Sequence, residues 1–331
     1  MSKRSWWIWV LLLGGMYGIL AEFTLAQDAI RESLAYCARV LIPGLFPFVV
    51  LSRFFCRVLP QDGYSDLVKR LPVNKKYISC VLFGWIGGFP NGAMLVSQMS
   101  KHGERAMRAV FISSCAGAGF VIGVVGSIVC NDLIFGVCLY VAQILITLFL
   151  ACFIPPDRTI TDNEEGSEVN EAVSRATIFV LAVKDSAIAM LYICAFSVTF
   201  SLLSDILAIY IPLPGIKEML RAIFEFSSGG PMAFHALPLP IGAFLLGFSV
   251  GFGGLSVHAQ IVSFSADNMG GYGKFLLLKA IVGILCGIFS SVYLSVGRSF
   301  GVFILMVDVL IVLLAKIIDI RAKNCKKCVD G

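Results

Sequence analysis

The sequence predicts an all-α polytopic membrane protein of about eight to ten membrane segments, arranged as two related, inverted halves that each carry a glycine-broken re-entrant segment. Three observations carry this. Of 331 residues, 58% are hydrophobic and only 14% charged, and mean hydropathy is +0.88; that much apolar surface cannot be covered in water. Two apolar stretches are interrupted alike, Gly84-Trp85-Ile86-Gly87-Gly88-Phe89-Pro90-Asn91-Gly92 and Gly247-Phe248-Ser249-Val250-Gly251-Phe252-Gly253-Gly254-Leu255-Ser256-Val257-His258-Ala259-Gln260. Their Gly-Phe pairs agree at an offset of 163 (251−88 and 252−89). Broken backbone at bilayer depth must be buried in protein or line a wet cavity, and two such segments in corresponding halves point to a solute site. Finally, the one long hydrophilic stretch, Pro155 to Ser174 with Asp157, Asp162, Glu164, Glu165 and Glu168, divides the chain near its middle.

Residues 1–30 read as an N-terminal membrane helix. Lys3 and Arg4 precede the apolar run Trp6 to Ala21 and place that end in the cytoplasm. Two Trp at the boundary and the many later spans favour an uncleaved helix over a signal peptide. Residues 31–154 form the first repeat. Tyr36 to Leu59 is a span broken by Pro43-Gly44 and Pro47. Tyr77 to Met99 holds the first glycine break, with Lys69, Arg70, Lys75 and Lys76 before it and Lys101, Arg105 and Arg108 after it. Basic flanks on both ends make it a segment that starts and ends on one side. Met107 to Val129 and Leu133 to Ile154 read as plain spans. The first of these carries Ser113-Ser114-Cys115-Ala116-Gly117-Ala118-Gly119, a small-residue face that lets another helix approach.

Residues 155–176 are the hydrophilic linker and 177–299 the second repeat. Ile178 to Leu213 is long enough for a short helix carrying Lys184 and Asp185 plus a full span, and its Leu203-Ser204-Asp205 echoes Leu51-Ser52-Arg53. Ile216 to Phe226 is a short amphipathic helix stopped by Ser227-Ser228-Gly229-Gly230-Pro231. Leu237 to Ile261 holds the second break, and Phe275 to Val296 is a plain span. Residues 300–331 supply a last span, Val302 to Ile320, and a basic tail with Arg321, Lys323, Lys326 and Lys327. The charge rule puts this tail inside, whereas strict inversion leaves it outside, which is why the segment count is a range.

Several function classes are excluded. The formal charge of +5 comes from basic residues at segment ends, without the basic-aromatic stripe of a nucleic-acid module. Most of the 11 Cys lie in apolar runs and behave as small hydrophobes. Cys325 and Cys328 form the one CxxC, two ligands where a structural zinc site takes four. No metal and no cofactor is expected. Gly247-Phe248-Ser249-Val250-Gly251 fits G-x-S-x-G, but a nucleophile elbow needs a strand before it and His and Asp partners, so no enzyme is expected.

The candidate solute-binding residues are Gly88, Phe89, Asn91 and Gln98 in the first break and Phe252, Gly253, Gly254, Ser256, His258 and Gln260 in the second. Asn91 and Gln98 are seven apart and share a helix face, as do Ser256, Gln260 and Ser263. Polar residues aligned this way in a membrane segment either glue helices together or line a solute path. A helix restarting near Asn91-Gly92 or Gly254 presents free N–H groups and a positive dipole end, which suits a small dicarboxylate. Phe89 and Phe252 either sandwich a flat ring or pack in the core. His258 points off the Ser256–Gln260 face and serves the path or a helix contact. Glu225, between Phe224 and Phe226, is either the site of a coupling proton or cation or an interfacial anchor; burial there favours its neutral form.

With Gly84 to Ala93, Ser114-Cys115-Ala116-Gly117-Ala118-Gly119-Phe120, Phe224-Glu225-Phe226 and Gly251 to Gln260 in view, the chain resembles the YlbJ-type sporulation integral membrane proteins, within the wider group that carries the nucleoside-recognition or gate domain. The likeness runs from about Tyr36 to Val296, and Met94 stands where that family tends to show a basic residue. The resemblance implies the outer membrane of the developing spore and a role in moving dipicolinate toward the forespore. The expected partners are therefore the lipid bilayer, a small-molecule substrate and a coupling proton or cation, with oligomeric state left open. A nucleoside is the alternative substrate, and a non-transporting scaffold for spore membrane assembly is the alternative of a different class.

Overall fold

Apolar runs become helices, several with glycine or proline inside them, and glycines at positive φ such as Gly88, Gly253 and Gly270 end them. The computed structural model describes residues 6–59, 68, 71–158, 174–211, 213–297 and 299. Helix makes up 83% of these and no strand occurs among them, so the framework is helix packed on helix. The helices are α1 (Trp6–Ala21), α2 (Phe23–Tyr36), α3 (Ile42–Val58), α4 (Ile78–Gly87), α5 (Asn91–Met99), α6 (Met107–Ser113), α7 (Leu133–Ala151), α8 (Arg175–Ile209), α9 (Ile216–Phe224), α10 (Phe226–Ala236), α11 (Leu239–Phe252), α12 (Gly254–Met269) and α13 (Tyr272–Val296). A π-helical turn, Cys37–Leu41, joins α2 to α3, and a π helix, Gly119–Val129, follows α6.

Among the described residues, five stretches are long and apolar enough to cross a membrane: Phe23–Val58, Leu133–Ala151, Arg175–Ile209, Leu239–Ser265 and Tyr272–Val296. Their outer surfaces expose Leu191, Tyr192, Ile284 and Ile288 among many large apolar side chains, as an integral membrane protein requires. Polar side chains start the helices: Asp132 accepts from Phe135 N at 3.0 Å before α7, and Ser174 from Thr177 N at 3.2 Å before α8. Glycines let α11 and α13 approach closely. A Cβ on Gly251 of α11 would lie 2.9 Å from the Cα of Gly283 on α13.

Four segments differ from the sequence reading. Ser227-Ser228-Gly229-Gly230-Pro231, read as the stop of one helix, lies inside α10, and the chain turns before it at Glu225, whose side chain caps α10. Residues 175–209 form one unbroken helix rather than a short helix and a span, because nothing in them breaks a helix and Lys184-Asp185 only meets solvent at its side. Asp185 there pairs with Arg57 of α3 at 2.6 Å. Pro43 and Pro47 do not break the second span. The chain widens to a π-helical turn ahead of Pro43, which relieves the clash between a proline ring and the preceding turn and leaves one continuous rod. Met107 to Val129 is interrupted over 114–118, where Ser114 to Gly117 leave helical geometry and Ala118 leads into the π helix. The last span, the linker beyond residue 158 and the Cys325/Cys328 pair lie outside the described residues.

The order of elements recurs: a short helix pair, an interrupted helix, then a long apolar helix. It runs from α4 to α7 and again from α9 to α13, with the pairs beginning at Ile78 and Ile216, 138 residues apart (216−78). That spacing is not the 163 of the Gly-Phe signatures. The signatures matched the turn of a helix pair to the interruption of a single helix, because both need the same helix-ending residues.

Candidate functional site

Four chain interruptions meet at one place. At the first, α4 ends on Gly88, whose φ of +73° is a left-handed value that glycine adopts without strain. α5 then folds back on α4, so that a Cβ on Gly84 would lie 2.9 Å from the Cα of Gly92. The second helix pair turns at Glu225, and Gly229 of α10 lies against the carbonyl of Arg221, where any Cβ would overlap it. The third and fourth interruptions are 114–118, and Gly253-Gly254 with φ of +89° and +70°.

The contacts among them are backbone to backbone, ring to backbone and ring to ring. A Cβ on Gly88 would lie 2.5 Å from the backbone N of Gly117, and one on Gly254 would lie 2.9 Å from the backbone N of Phe226. The ring of Phe89 reaches Gly253, with Cζ 3.1 Å from where a Cβ would stand. Phe226 sits edge-on to both Phe89 and Phe120, at 5.7 and 5.1 Å between ring centres.

Interrupted backbone needs partners, and neighbouring helices supply them. Gln143 of α7 donates to Ala116 O at 2.8 Å and accepts from Ala116 N at 3.3 Å. Trp85 donates to Ile112 O at 2.8 Å, and Tyr140 to Trp85 O at 3.0 Å. Lys279 Nζ donates to Ser114 O. Gln143→Leu is expected to strand both backbone groups of Ala116, at about 1–3 kcal/mol for each buried group left unpaired. The detergent-solubilised variant should unfold at a lower temperature than the parent; equal unfolding temperatures would show that the amide is not what holds the interruption.

Beside this junction lies a cavity bordered by Phe89, Ser197, Glu225, Phe226, Ser227, Ser256 and Gln260, with Leu41 and Ile193 on its apolar side. Its volume is about 10 Å³, room for one water at most, so the site is closed in this conformation. Glu225 is 1% exposed. Its Oε1 accepts from Ser227 N at 3.1 Å and Ser227 Oγ at 2.6 Å, and its Oε2 from Ser228 N and Oγ, both at 2.7 Å. The apolar flanks led us to expect a carboxylate starved of donors. Instead Glu225 caps α10, where the helix N-terminus favours negative charge and the side chain occupies the anion position itself.

The other predicted residues divide. Gly88, Phe89, Gly253 and Gly254 are at the junction, and Ser256 and Gln260 border the cavity, with Gln260 Oε1 unpartnered. Asn91 is buried and donates to Ser52 Oγ at 2.8 Å, and its Oδ1 is unpartnered. Gln98 is exposed near the far end of α5. It shares a face with Asn91 but not a depth, because seven residues of helix span about 10 Å. Phe252 does not face Phe89; its ring neighbours are Phe248 at 5.2 Å and His258 at 4.5 Å. His258 turns away from the cavity, with Nε2 3.1 Å from Phe252 O and Nδ1 unpartnered.

Three buried cations escaped the sequence reading, and one of them, Arg221 of α9, is neutralised by Asp205 of α8 at 2.7 Å. Arg53 of α3 is buried, with Nη2 3.3 Å from Met94 Sδ. Lys279, in Leu276-Leu277-Leu278-Lys279-Ala280-Ile281, is 1% exposed about two turns into α13. A single charge inside an apolar span was the available signal, since such residues are costly and mark function. No protein-family model, curated protein or solved structure matches the chain.

Proposed function

We propose that the protein is a membrane transporter of a small anionic metabolite, built from two related, inverted halves whose helix pairs re-enter the bilayer. The carrying observation is the convergence of four interruptions beside a cavity with buried polar side chains. Irregular backbone at membrane depth is tolerated where it lines a solute path, and interrupted segments in corresponding positions mark solute sites. Dipicolinate moved toward the forespore, across the outer forespore membrane and with the N-terminus cytoplasmic, is the case that the resemblance to YlbJ-type proteins implies. A nucleoside is the alternative.

The one-water cavity favours a second reading of a different class, a non-transporting scaffold with a dry, packed centre. Uptake of labelled dipicolinate and labelled nucleosides into vesicles holding the purified protein separates the readings. Saturable uptake of dipicolinate, above that of protein-free vesicles, is the expected result. Preference for nucleosides would reassign the substrate, and no flux of either solute would favour the scaffold.

A further inference from the structure

Lys279 is the least compensated charge at the junction. Its Nζ has one hydrogen-bond acceptor, the carbonyl of Ser114, and no carboxylate pairs with it among the described residues. What surrounds it otherwise is aromatic: Nζ lies 4.8 Å from the centre of the Phe111 ring and 5.5 Å from that of Phe89. Cation–π contacts and one carbonyl make a partial substitute for water, and an ammonium carries three donors. Burying a charge without a counter-ion costs several kcal/mol, and an apolar side chain at this position would avoid that cost. A buried cation kept without an anion fits a site that receives one.

Phe89 connects this cation to the cavity. The same ring that lies on the Lys279 ammonium borders the cavity and touches Gly253. It stands at the turn of the α4/α5 pair, so a shift of that turn moves the ring off both at once. We infer that Lys279 is the fixed cation that pairs with a carboxylate of an aromatic acid, which takes the place of the Phe89 ring over the ammonium when the α4/α5 turn shifts. This rests on the transport reading for its purpose, but binding can be measured apart from flux.

The experiment uses the full chain, with pyridine-2,6-dicarboxylate and uridine as probes. Calorimetric binding is measured in detergent and flux in vesicles, for the parent and for Lys279→Met and Lys279→Arg. The expected result is that Lys279→Met weakens dicarboxylate binding at least about tenfold and raises its half-saturation concentration to match, whereas Lys279→Arg retains most of both. Any uridine flux should fall much less than dicarboxylate flux in the Met variant. If Lys279→Met does not fold, Lys279→Gln, whose amide still offers a donor toward Ser114 O, carries the same comparison.

Dicarboxylate binding unaffected by Lys279→Met overturns the inference. So does an equal loss for both solutes, which would make the lysine a strut for the 114–118 interruption and nothing more. A parent chain that binds neither probe overturns it as well. A parent that binds the dicarboxylate through Lys279 without carrying it upholds the inference and overturns transport instead.

Discussion

Gly254→Ala is expected to abolish solute flux, and Gly253→Ala to reduce it less, although the two glycines are adjacent and both left-handed. Each substitution places an L-residue at positive φ, at about 1–2 kcal/mol. The difference lies in what the new methyl group meets. At Gly254 it is backbone, Phe226 N at 2.9 Å and Phe224 O at 3.2 Å, which recedes only if the whole α9/α10 turn moves. At Gly253 it is the end of the Phe89 ring at 3.1 Å, which can rotate aside. Overpacking against a fixed neighbour adds about 1–3 kcal/mol, enough to displace Glu225 and its cap from the cavity wall. Vesicle flux, with membrane insertion checked in parallel, tests this; equal flux in the two variants would show that the α9/α10 turn yields as easily as a side chain. Gly254→Leu, with a larger side chain at the same positive φ, should abolish flux as well.

Glu225→Gln is expected to lower flux at least about tenfold. A glutamine offers one acceptor oxygen where the carboxylate offers two. Its amide NH₂ then faces Ser228 N, now 2.7 Å from Oε2. The Ser228 hydroxyl can turn and accept, but the backbone N–H cannot. One buried donor without an acceptor costs about 1–3 kcal/mol, and losing the negative charge at a helix N-terminus costs a further ~0.3–1 kcal/mol. Since about 1.4 kcal/mol is tenfold in an equilibrium, the intact turn would be about tenfold or more less favoured than in the parent. If Glu225 also couples transport to a proton or cation, the remaining flux should be exchange that no longer responds to a pH step or to sodium. Measuring exchange and net uptake across a pH series, with and without sodium, separates the two effects. Parent-level flux with unchanged responses would remove Glu225 from both roles.

Class and local punctuation were legible in the chain. The composition placed it in a membrane, and the interruptions at Gly88 and Gly253 were visible because glycine ends helices through its own φ, whatever surrounds it. Glu225 stood out for a similar reason, as a charge beside apolar neighbours and a run of helix breakers. The interruption at 114–118 was not legible. Ser, Ala and Cys there tolerate a helix, and the chain departs from it where Gln143 and Lys279, far away in sequence, provide for its backbone. Nor did the shared Gly-Phe signature identify the ring partner of Phe89, which is Phe226 and not Phe252. A signature reports which residues can end a helix, not which ends meet. Lys279 lies 165 residues from the carbonyl it binds, so its burial is a property of packed helices. Helix termini follow from dihedral freedom and a missing N–H, which belong to single residues. The uncompensated cation, the closed cavity and the meeting of four interruptions follow from desolvation and close packing, which exist only between segments.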